Sequence, residues 1–232
     1  MGFKGSAFLA IWHDIAEGAH GEYIEWHTRE HMPERVSIPG FNTGKRLHAP
    51  EAGRYVFGTI YAADNVEVFR SPAYLERLNN PTPWTSAVAP SFRNFLRVAC
   101  ERIAYAGLGD GGVMLTLRFD YAGDDAEARL RREGGVLVEA LLAVRGVSAV
   151  HLGVARSEVS SVRTRETELR AKMSEKSFDA VLLVEGSSRA GLEAARVEIE
   201  RLVLATGTLA EPAGMIYETA FSIIADDMKA GA

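Results

Sequence analysis

Cysteine is almost missing from this chain, which has Cys100 as the single one in 232 residues. A disulfide within the chain and a zinc site built on cysteines are therefore excluded. Cys100 stands in the apolar stretch FLRVACERI, and we expect it to be a small buried side chain. Candidates for chemistry must be sought among the histidines, tyrosines and charged residues.

Long apolar runs and an excess of basic residues are also missing. No stretch reaches the ~18 consecutive apolar residues of a membrane span, and His13 and Asp14 come before the core of a signal peptide could form. The 31 acidic and 26 basic residues give a formal net charge of −5, which disfavours nucleic acid as the main partner. We therefore expect a cytoplasmic protein with no membrane partner.

An internal repeat organises the sequence. Residues 8–14 (FLAIWHD) align with residues 114–120 (MLTLRFD) at an offset of 106 positions, and the same offset carries Gly40 onto Gly146. Each copy has an apolar strand that ends in Asp, and a Gly that starts another strand follows after the same interval. This pattern predicts a structural repeat, although few residues are identical.

The second copy is longer than the first. Residues 55–61 align with residues 178–184 at an offset of 123, so the second copy carries about 17 extra residues. They fall at about 156–176, a polar stretch rich in helix formers that we expect to be an exposed helical insertion. The predicted divisions are a first repeat at 1–106, a Gly-rich linker at 107–112 and a second repeat at 113–232.

Each copy is predicted to run strand, helix, strand, strand, helix, strand. The predicted strands are 6–12, 41–48, 55–62, 94–105, 113–119, 148–155, 178–185 and 215–224, and the predicted helices are 21–36, 66–78, 126–144 and 189–205. This is the βαββαβ order of ferredoxin-like units, in which both helices cover one face of an antiparallel sheet. Two such units can cover their bare faces by packing sheet to sheet. We therefore predict an α+β fold in which two tandem ferredoxin-like repeats form one pseudo-dimeric α+β barrel around a central space.

Alternation along the strands indicates which side chains face that space. The uniformly apolar set of one strand is expected to pack under the helices: Leu115, Leu117 and Phe119. The sets expected to face inward are Met114, Thr116 and Arg118, and in the first repeat Phe8, Ala10 and Trp12. Because a buried arginine needs a partner, Arg118 is a candidate for holding a carboxylate or an enolate. The alternative is that Arg118 reaches the mouth of the barrel or pairs with Asp120 or Glu218.

The first helix carries the densest group of reactive side chains. His27, Glu30 and His31 lie within one and a half turns, with the two imidazoles four residues apart on one face. One interpretation is that a histidine acts as general base or hydrogen-bond donor. A second is a divalent metal held by His27 and His31 with help from His13 or Glu30. A third is that helix-end histidines are satisfied by the backbone or by Glu30.

Three other features stand out. His151, in the apolar run GVSAVHLGVA, is a core histidine, a catalyst or a haem ligand. Tyr74 lies in the segment Ser-Pro-Ala-Tyr that begins at Ser71. The loop over 79–85 contains two prolines and Trp84, and it forms either a lid over a cavity or a plug that completes the core.

The spacing Trp26-His27-x-x-x-His31-x-Pro33, followed by Pro39-Gly40, resembles the EthD-like and stress-responsive members of the dimeric α+β barrel superfamily. His31 matches the histidine that those proteins carry on their first helix. The Ser-Pro-Ala-Tyr74 segment is similar to the His-Pro-Ala-His stretch of barrel proteins that include polyketide cyclases. Tyr74 stands where their catalytic histidine stands, so their mechanism does not transfer directly.

The resemblance implies small-molecule chemistry without a bound organic cofactor. We expect an isomerase, cyclase or lyase, or a cofactor-free monooxygenase, that acts on an aromatic-derived or polyketide-like carbonyl or carboxylate compound inside the barrel. His31 or His27 would be the base, Tyr74 the acid and Arg118 the anion holder. The side chains expected to contact the substrate are Trp12, His13, Glu30, Trp84 and His151.

Other interpretations stay open. The barrel could bind haem or another ligand through His151 or a first-repeat histidine, or use a metal on the His27/His31 pair. A further alternative is a barrel whose interior is filled by side chains and which has a structural or regulatory role. The tandem copies can close a barrel in one chain, so both a monomeric pseudo-dimer and a homodimer fit the sequence.

Overall fold

The computed structural model describes residues 3–160, 162–169 and 176–229. The strands are β1 (Ala7–Ile15), β2 (Phe41–His48), β3 (Phe57–Ala63), β4 (Phe92–Gly107), β5 (Val113–Phe119), β6 (Val147–Ala155), β7 (Ala180–Gly186) and β8 (Ala213–Ile224). The α-helices are α1 (His20–Trp26), α2 (Met32–Val36), α3 (Pro72–Asn79), α4 (Pro83–Val88), α5 (Ala126–Leu142), α6 (Ser157–Ser160), α7 (Arg165–Leu169) and α8 (Arg189–Leu204). In these ranges, none of the helices is both long enough and apolar enough to cross a membrane.

The strands form one sheet with the order β1-β3-β2-β8-β5-β7-β6-β4, which closes into a barrel. The pairs β1/β3, β2/β3, β5/β7, β6/β7 and β5/β8 are antiparallel, and so is β4/β6. The elements follow the predicted βαββαβ order twice along the chain. The predicted fold class, an α+β barrel built from two ferredoxin-like halves, is confirmed.

The chain divides into two compact units. Within the described residues, unit A contains Phe3, 100–155 and 178–219, and unit B contains 4–99, the 156–177 segment and the residues from 220 onward. Two strands contribute to both units, because β4 passes from unit B to unit A at Cys100 and β8 passes from unit A to unit B at Ala220. The repeat boundaries at 106 and 113 stay a prediction.

The core of unit A lies under its two long helices. Leu115, Leu117 and Phe119 of β5 pack in one apolar cluster with Leu130 of α5 and Ile199 of α8. This confirms the set that alternation assigned to the helix side of β5. Cys100, predicted to be buried, is fully covered.

The core of unit B has the same arrangement on its own strands. Leu9 of β1 packs with Met32 and Val36 of α2 and with Phe69. Since neighbours along a strand point to opposite faces, Phe8, Ala10 and Trp12 lie on the other side of the sheet, where all three are buried.

The segment after β6 differs from its prediction. It does contain two short helices, α6 and α7, but it is not exposed throughout, because Val159, Thr164 and Glu166 are buried. Ser161 and residues 170–175 of the predicted insertion lie outside the described residues. The segment packs into unit B and supplies a charged side chain to its interior.

Candidate functional site

The helix with the candidate histidines changes its winding where they stand. Residues His27–His31 form a π-helical turn between α1 and α2, and Pro33, within the first turn of α2, has no N–H to donate back into that turn. Such π-turns occur mostly as single turns inside helices, frequently at functional sites. Both histidines are buried, with His27 4% and His31 7% exposed.

Four side chains spaced by four residues form a buried ladder along this helix: Tyr23, His27, His31 and Arg35. The rings of Tyr23 and His27 are stacked with centroids 5.1 Å apart, and those of His27 and His31 with centroids 5.7 Å apart. At the first rung, His13 Nε2 lies 3.1 Å from the Tyr23 hydroxyl. The ladder is aromatic and polar at positions where a core helix usually presents aliphatic residues.

A small cavity in unit B lies at the C-terminal end of the ladder, beside His31 and Arg35. It is lined by His31 and Arg35 of the helix, Tyr61 of β3, Tyr74 of α3 and Arg97 of β4, and further by Glu166 and Thr167 of α7. The cavity volume, measured as the space open to the centres of water molecules, is about 30 Å³. His31 and Tyr74, predicted as base and acid, are thus brought together.

The cavity is on the helix-covered side of the sheet. Leu9 and Ile11 of β1 line it, whereas Phe8, Ala10 and Trp12 were predicted to surround the site. The predicted location, the face opposite the helices, does not match this cavity. Trp12, a predicted substrate contact, is buried on that opposite face.

Tyr74 is positioned by the local sequence. The Ser71 side chain accepts a hydrogen bond from the Tyr74 backbone N–H at 3.3 Å and caps α3, with Pro72 at its start. The Tyr74 hydroxyl accepts a hydrogen bond from Arg97 Nη2 at 3.0 Å. The guanidinium carbons of Arg35 and Arg97 each lie 5.9 Å from the centre of the Tyr74 ring. Two cations beside this phenol stabilise negative charge that develops on a group next to it.

Arg35 is the buried charge at the centre of this arrangement. Its guanidinium pairs with Glu166 of α7 and, at 2.8 Å, with Glu34. Burial by itself lowers the pKa of Arg35, but the attraction of Glu166 and the other neighbours outweighs it and raises the pKa above the usual value. Arg35 therefore stays charged and holds α7 against the helix.

Tyr61 contributes a hydroxyl to the same cavity. It pairs with Leu9 across the β1/β3 ladder and with Gly44 across the β2/β3 ladder. A Cβ at Gly44 would lie 2.8 Å from the end of the Met32 side chain and 3.0 Å from the Tyr61 ring, so glycine leaves room for both. Burial raises the pKa of Tyr61 well above 10, which keeps the hydroxyl neutral. Among the described residues, this hydroxyl has no hydrogen-bond partner.

Arg118, the predicted anion holder, belongs to unit A. Its side chain is half-exposed, and its Nε donates to the Ala213 carbonyl at 3.4 Å. The guanidinium groups of the cavity are those of Arg35 and Arg97 instead. The role assigned to Arg118 stays a prediction.

His151 also lies in unit A, inside a small polar group. Its ring stacks on Phe3 with centroids 4.5 Å apart, its Nε2 lies 3.4 Å from Glu185 and its Nδ1 lies 3.4 Å from Arg102. Glu185 in turn accepts a hydrogen bond from the Gly111 N–H at 2.6 Å. Both ring nitrogens face protein groups, and the haem role considered for His151 stays a prediction.

The predicted loop over 79–85 is in part a helix. The Thr82 side chain caps α4 by accepting a hydrogen bond from the Thr85 N–H at 2.9 Å. Glu30 accepts a hydrogen bond from the Thr82 hydroxyl, and Trp84 donates from its indole N–H to Glu22 at 2.6 Å. Glu30 and Trp84, predicted as substrate contacts, thus fasten α4 to the first helix.

The geometry around His27 and His31 does not add support for a bound metal ion. Among the described residues, no group of three or more histidine, cysteine, aspartate and glutamate side chains is placed to hold a metal ion. His13 lies beside Tyr23, Phe57 and Phe92. The metal alternative on His27 and His31 stays a prediction.

Four ionisable residues of the cavity were missed by the sequence reasoning: Arg35, Tyr61, Arg97 and Glu166. Arg35 carried a signal, because it continues the four-residue spacing of Tyr23, His27 and His31. Arg97 carried a weaker one, as a charge inside the apolar strand FLRVAC.

The chain matches no model of a known protein family and no curated protein. It is similar in structure to an anthrone oxidase-like protein, with TM-score 0.65 and 13% identity over 94% of this chain and 92% of that one. A proposed monooxygenase of Fusobacterium nucleatum subsp. nucleatum has TM-score 0.58 and 10% identity over 95% of both chains. One from Lactobacillus acidophilus has TM-score 0.53 and 11% identity over 95% of this chain and 99% of that one. Together with the strand order, these likenesses show that the chain has the dimeric α+β barrel fold, with both ferredoxin-like halves carried in one chain.

Proposed function

We propose that this protein is a cofactor-independent enzyme that removes a proton from an activated carbon of a small carbonyl compound. The observation that carries the proposal is the cavity of unit B, where His31 and Tyr74 meet beside Arg35 and Arg97. A base, a phenol and cations around one buried space are the groups that enolate formation requires. Residual water is scarce in so small a space, which strengthens their electrostatic effect.

Each group has a distinct task. His31 takes the proton, because an imidazole is the usual base near neutral pH. Tyr74 faces the carbonyl oxygen of the substrate as hydrogen-bond donor, and Arg97, which donates to the Tyr74 hydroxyl, orients that hydroxyl and supplies positive charge. The Arg35 guanidinium, 5.9 Å from the centre of the Tyr74 ring, adds positive charge beside it.

The fate of the enolate separates the reaction types. An isomerase or cyclase returns a proton or closes a ring, whereas a cofactor-free monooxygenase passes the electrons to O₂. Anthrone oxidation illustrates the second: the CH₂ carbon becomes a carbonyl, one oxygen atom of O₂ enters the product and the other leaves as water. Similarity to an anthrone oxidase-like structure supports anthrone as the first compound to try, by analogy of fold alone.

The first test measures proton abstraction and is independent of the later fate of the enolate. Anthrone is incubated in D₂O under nitrogen, and exchange of its CH₂ protons is followed by NMR. We expect the protein to accelerate this exchange and His31→Gln to reduce the acceleration by about 10²–10⁴-fold. Admission of air then distinguishes quinone formation from isomerisation.

The control is His20→Gln, since His20 is exposed at the start of α1 and its loss should leave exchange unchanged. Tyr74→Phe should slow exchange while thermal melting shows an intact fold. If His31→Gln exchanges protons as fast as the natural protein on any compound that is turned over, the proposal is wrong.

A further inference from the structure

One of the two arginines that line the cavity of unit B lacks an ion-pair partner among the described residues, because Arg35 pairs with both Glu166 and Glu34 and Arg97 pairs with neither. Arg35 and Arg97 bring two positive charges to the lining, and Glu166 is the only carboxylate among the described residues that line it. Glu166 is already paired with Arg35. Among the described residues, Arg97 donates to two neutral acceptors, the Tyr74 hydroxyl at 3.0 Å and the Ser160 carbonyl at 3.4 Å. Within the described residues, the Arg97 guanidinium thus has no carboxylate partner.

Tyr61 adds a hydrogen-bond donor to this cavity. Its side chain is 1% exposed, and its hydroxyl lacks a protein partner in the described part of the chain. Burial raises the pKa of Tyr61, so the hydroxyl keeps its proton at any ordinary pH. A buried O–H donor without a partner costs stability unless a ligand or water accepts from it. The complementary group is an acceptor, and Arg97, which lines the same cavity, favours one with negative charge.

The size of the cavity narrows the choice. The cavity has a volume of about 30 Å³ on the measure given above. Since a single water needs roughly 10–15 Å³ on that measure, the cavity can hold the two oxygen atoms of one small polar group. Pockets that enclose a whole drug-sized ligand are larger, on the order of 300–1,000 Å³. The body of a ring compound therefore lies outside this space.

From charge, donor and size together we infer that the cavity binds the carboxylate group of an organic acid, with Arg97 supplying the charge and Tyr61 the hydroxyl donor. This inference rests on the proposed function, because it names the substrate class of the same site. The natural substrate then carries a carboxylate group in addition to its carbonyl, and anthrone, which has no carboxylate, is a probe of proton abstraction alone. Arg97 and Tyr61, rather than Arg118, hold the anion.

A matched pair of probes tests the carboxylate. Benzoate and benzamide have the same size and differ in charge, and their binding to the whole chain is followed by thermal stabilisation and by calorimetry at millimolar concentration. We expect benzoate to bind, with an affinity that falls as salt is added, and benzamide to bind at least tenfold more weakly. Equal binding of the two probes, or no effect of benzoate, overturns the inference.

Variants identify the residues. Arg97→Met and Tyr61→Phe should each weaken benzoate binding about tenfold or more, the usual effect of losing a hydrogen bond to a charged group. The control Arg93→Met removes an exposed arginine of the same strand and should leave binding unchanged. If Arg97→Met does not fold, Arg97→Lys, which keeps the charge without the planar guanidinium, must still bind benzoate in preference to benzamide. Unchanged benzoate binding in Tyr61→Phe contradicts the assignment.

The outcome is separable from that of the proposed function. His31→Gln should lose proton exchange and keep benzoate binding, because His31 is assigned to chemistry and not to the anion. If the protein binds benzoate in preference to benzamide but exchanges no protons, the anion site is supported and the catalytic proposal is wrong. A protein that exchanges protons but ignores benzoate removes only the anion site.

Discussion

Tyr61 and Cys100 show that one physical effect has different consequences at different places. Both side chains are buried, and burial raises the pKa of both. The Cys100 thiol stays protonated and packed in the core, so it has little of the thiolate that makes a cysteine reactive. Tyr61 keeps its proton beside a cavity, where a neutral phenol is a donor to a ligand.

The raised pKa of Tyr61 can be tested by comparing how the free energy of unfolding depends on pH in the natural protein and in Tyr61→Phe. Above about pH 10, Tyr61 ionises in the unfolded chain but stays protonated in the native one. The unfolded state therefore loses a proton that the native state keeps, and stability falls as pH rises. We expect the free energy of unfolding of the natural protein to fall faster than that of Tyr61→Phe, by up to about 1.4 kcal/mol per pH unit. Urea titrations between about pH 9 and pH 11 measure this difference, and parallel curves would contradict it.

Residue identity explains which parts of the site the sequence revealed. His31 and Tyr74 stand out as polar groups beside helix caps and prolines, which are local signals. Tyr61 and Arg97 lie in strands where a single polar residue is ordinary. Glu166 is 131 positions from Arg35, and no local pattern connects two residues so far apart in sequence.

At the scale of elements, α7 is the notable case. This helix of five residues comes from the longer second copy and lies in unit B, where Glu166 and Thr167 line the cavity. The residues of α7 on either side of these two, Arg165 and Glu168, line a groove on the surface. Because so short a helix has little intrinsic stability, its contact with Arg35 fixes its position.

Removing that contact should be costly. Glu166→Ala leaves the Arg35 guanidinium buried with Glu34 alone, and we expect the free energy of unfolding to fall by about 3 kcal/mol, the low end for breaking a buried ion pair. The control Glu168→Ala, on the exposed side of α7, should change it by less than about 0.5 kcal/mol. Urea denaturation compares the two, and equal effects would show that the ion pair does not hold α7.

The double variant Arg35→Met/Glu166→Leu extends this comparison. An apolar pair of similar volume removes both buried charges, and Glu34 keeps Arg77 at 4.0 Å, so the double variant should recover much of the lost stability. A double variant as unstable as Glu166→Ala would mean that packing of α7, and not its charge, was disturbed.

At the scale of the whole molecule, β4 and β8 connect the two units through continuous strands. The chain passes between units inside these strands. The parts of β4 and β8 that belong to unit A pair with β6 and β5, so unfolding of unit B releases one end of strands that form ladders in unit A. We expect both to unfold in one cooperative transition.

The tryptophans allow a direct test, because Trp12, Trp26 and Trp84 all lie in unit B. Leu117→Ala creates a cavity in the core of unit A and should lower the free energy of unfolding reported by tryptophan fluorescence by about 2–5 kcal/mol. Leu108→Ala is the control, since Leu108 is 92% exposed. A tryptophan transition that does not move, while circular dichroism shows an earlier separate step, would mean that the units unfold independently.

The fold could be predicted from the sequence because the patterns that indicate it are local and occur in both repeats. Alternation, helix periodicity and the 106-residue offset each point to the same βαββαβ order. The position of the cavity could not be predicted in this way. Alternation divides a strand into two faces, but both faces of β1 are buried, and which of them leaves space depends on how large side chains from distant segments meet.

The tandem arrangement has an evolutionary consequence. In a dimer of two identical chains, each substitution or insertion occurs twice, so the halves cannot differentiate. Here the gene encodes each half separately, and the positions that correspond to His27, Glu30 and His31 in the first repeat are Glu133, Val136 and Leu137 in the second. Leu137 belongs to an apolar core. In a single chain the two halves can therefore differ, so that the first repeat carries the histidines and the longer second repeat carries the segment that brings Glu166 and Thr167 to the cavity of unit B.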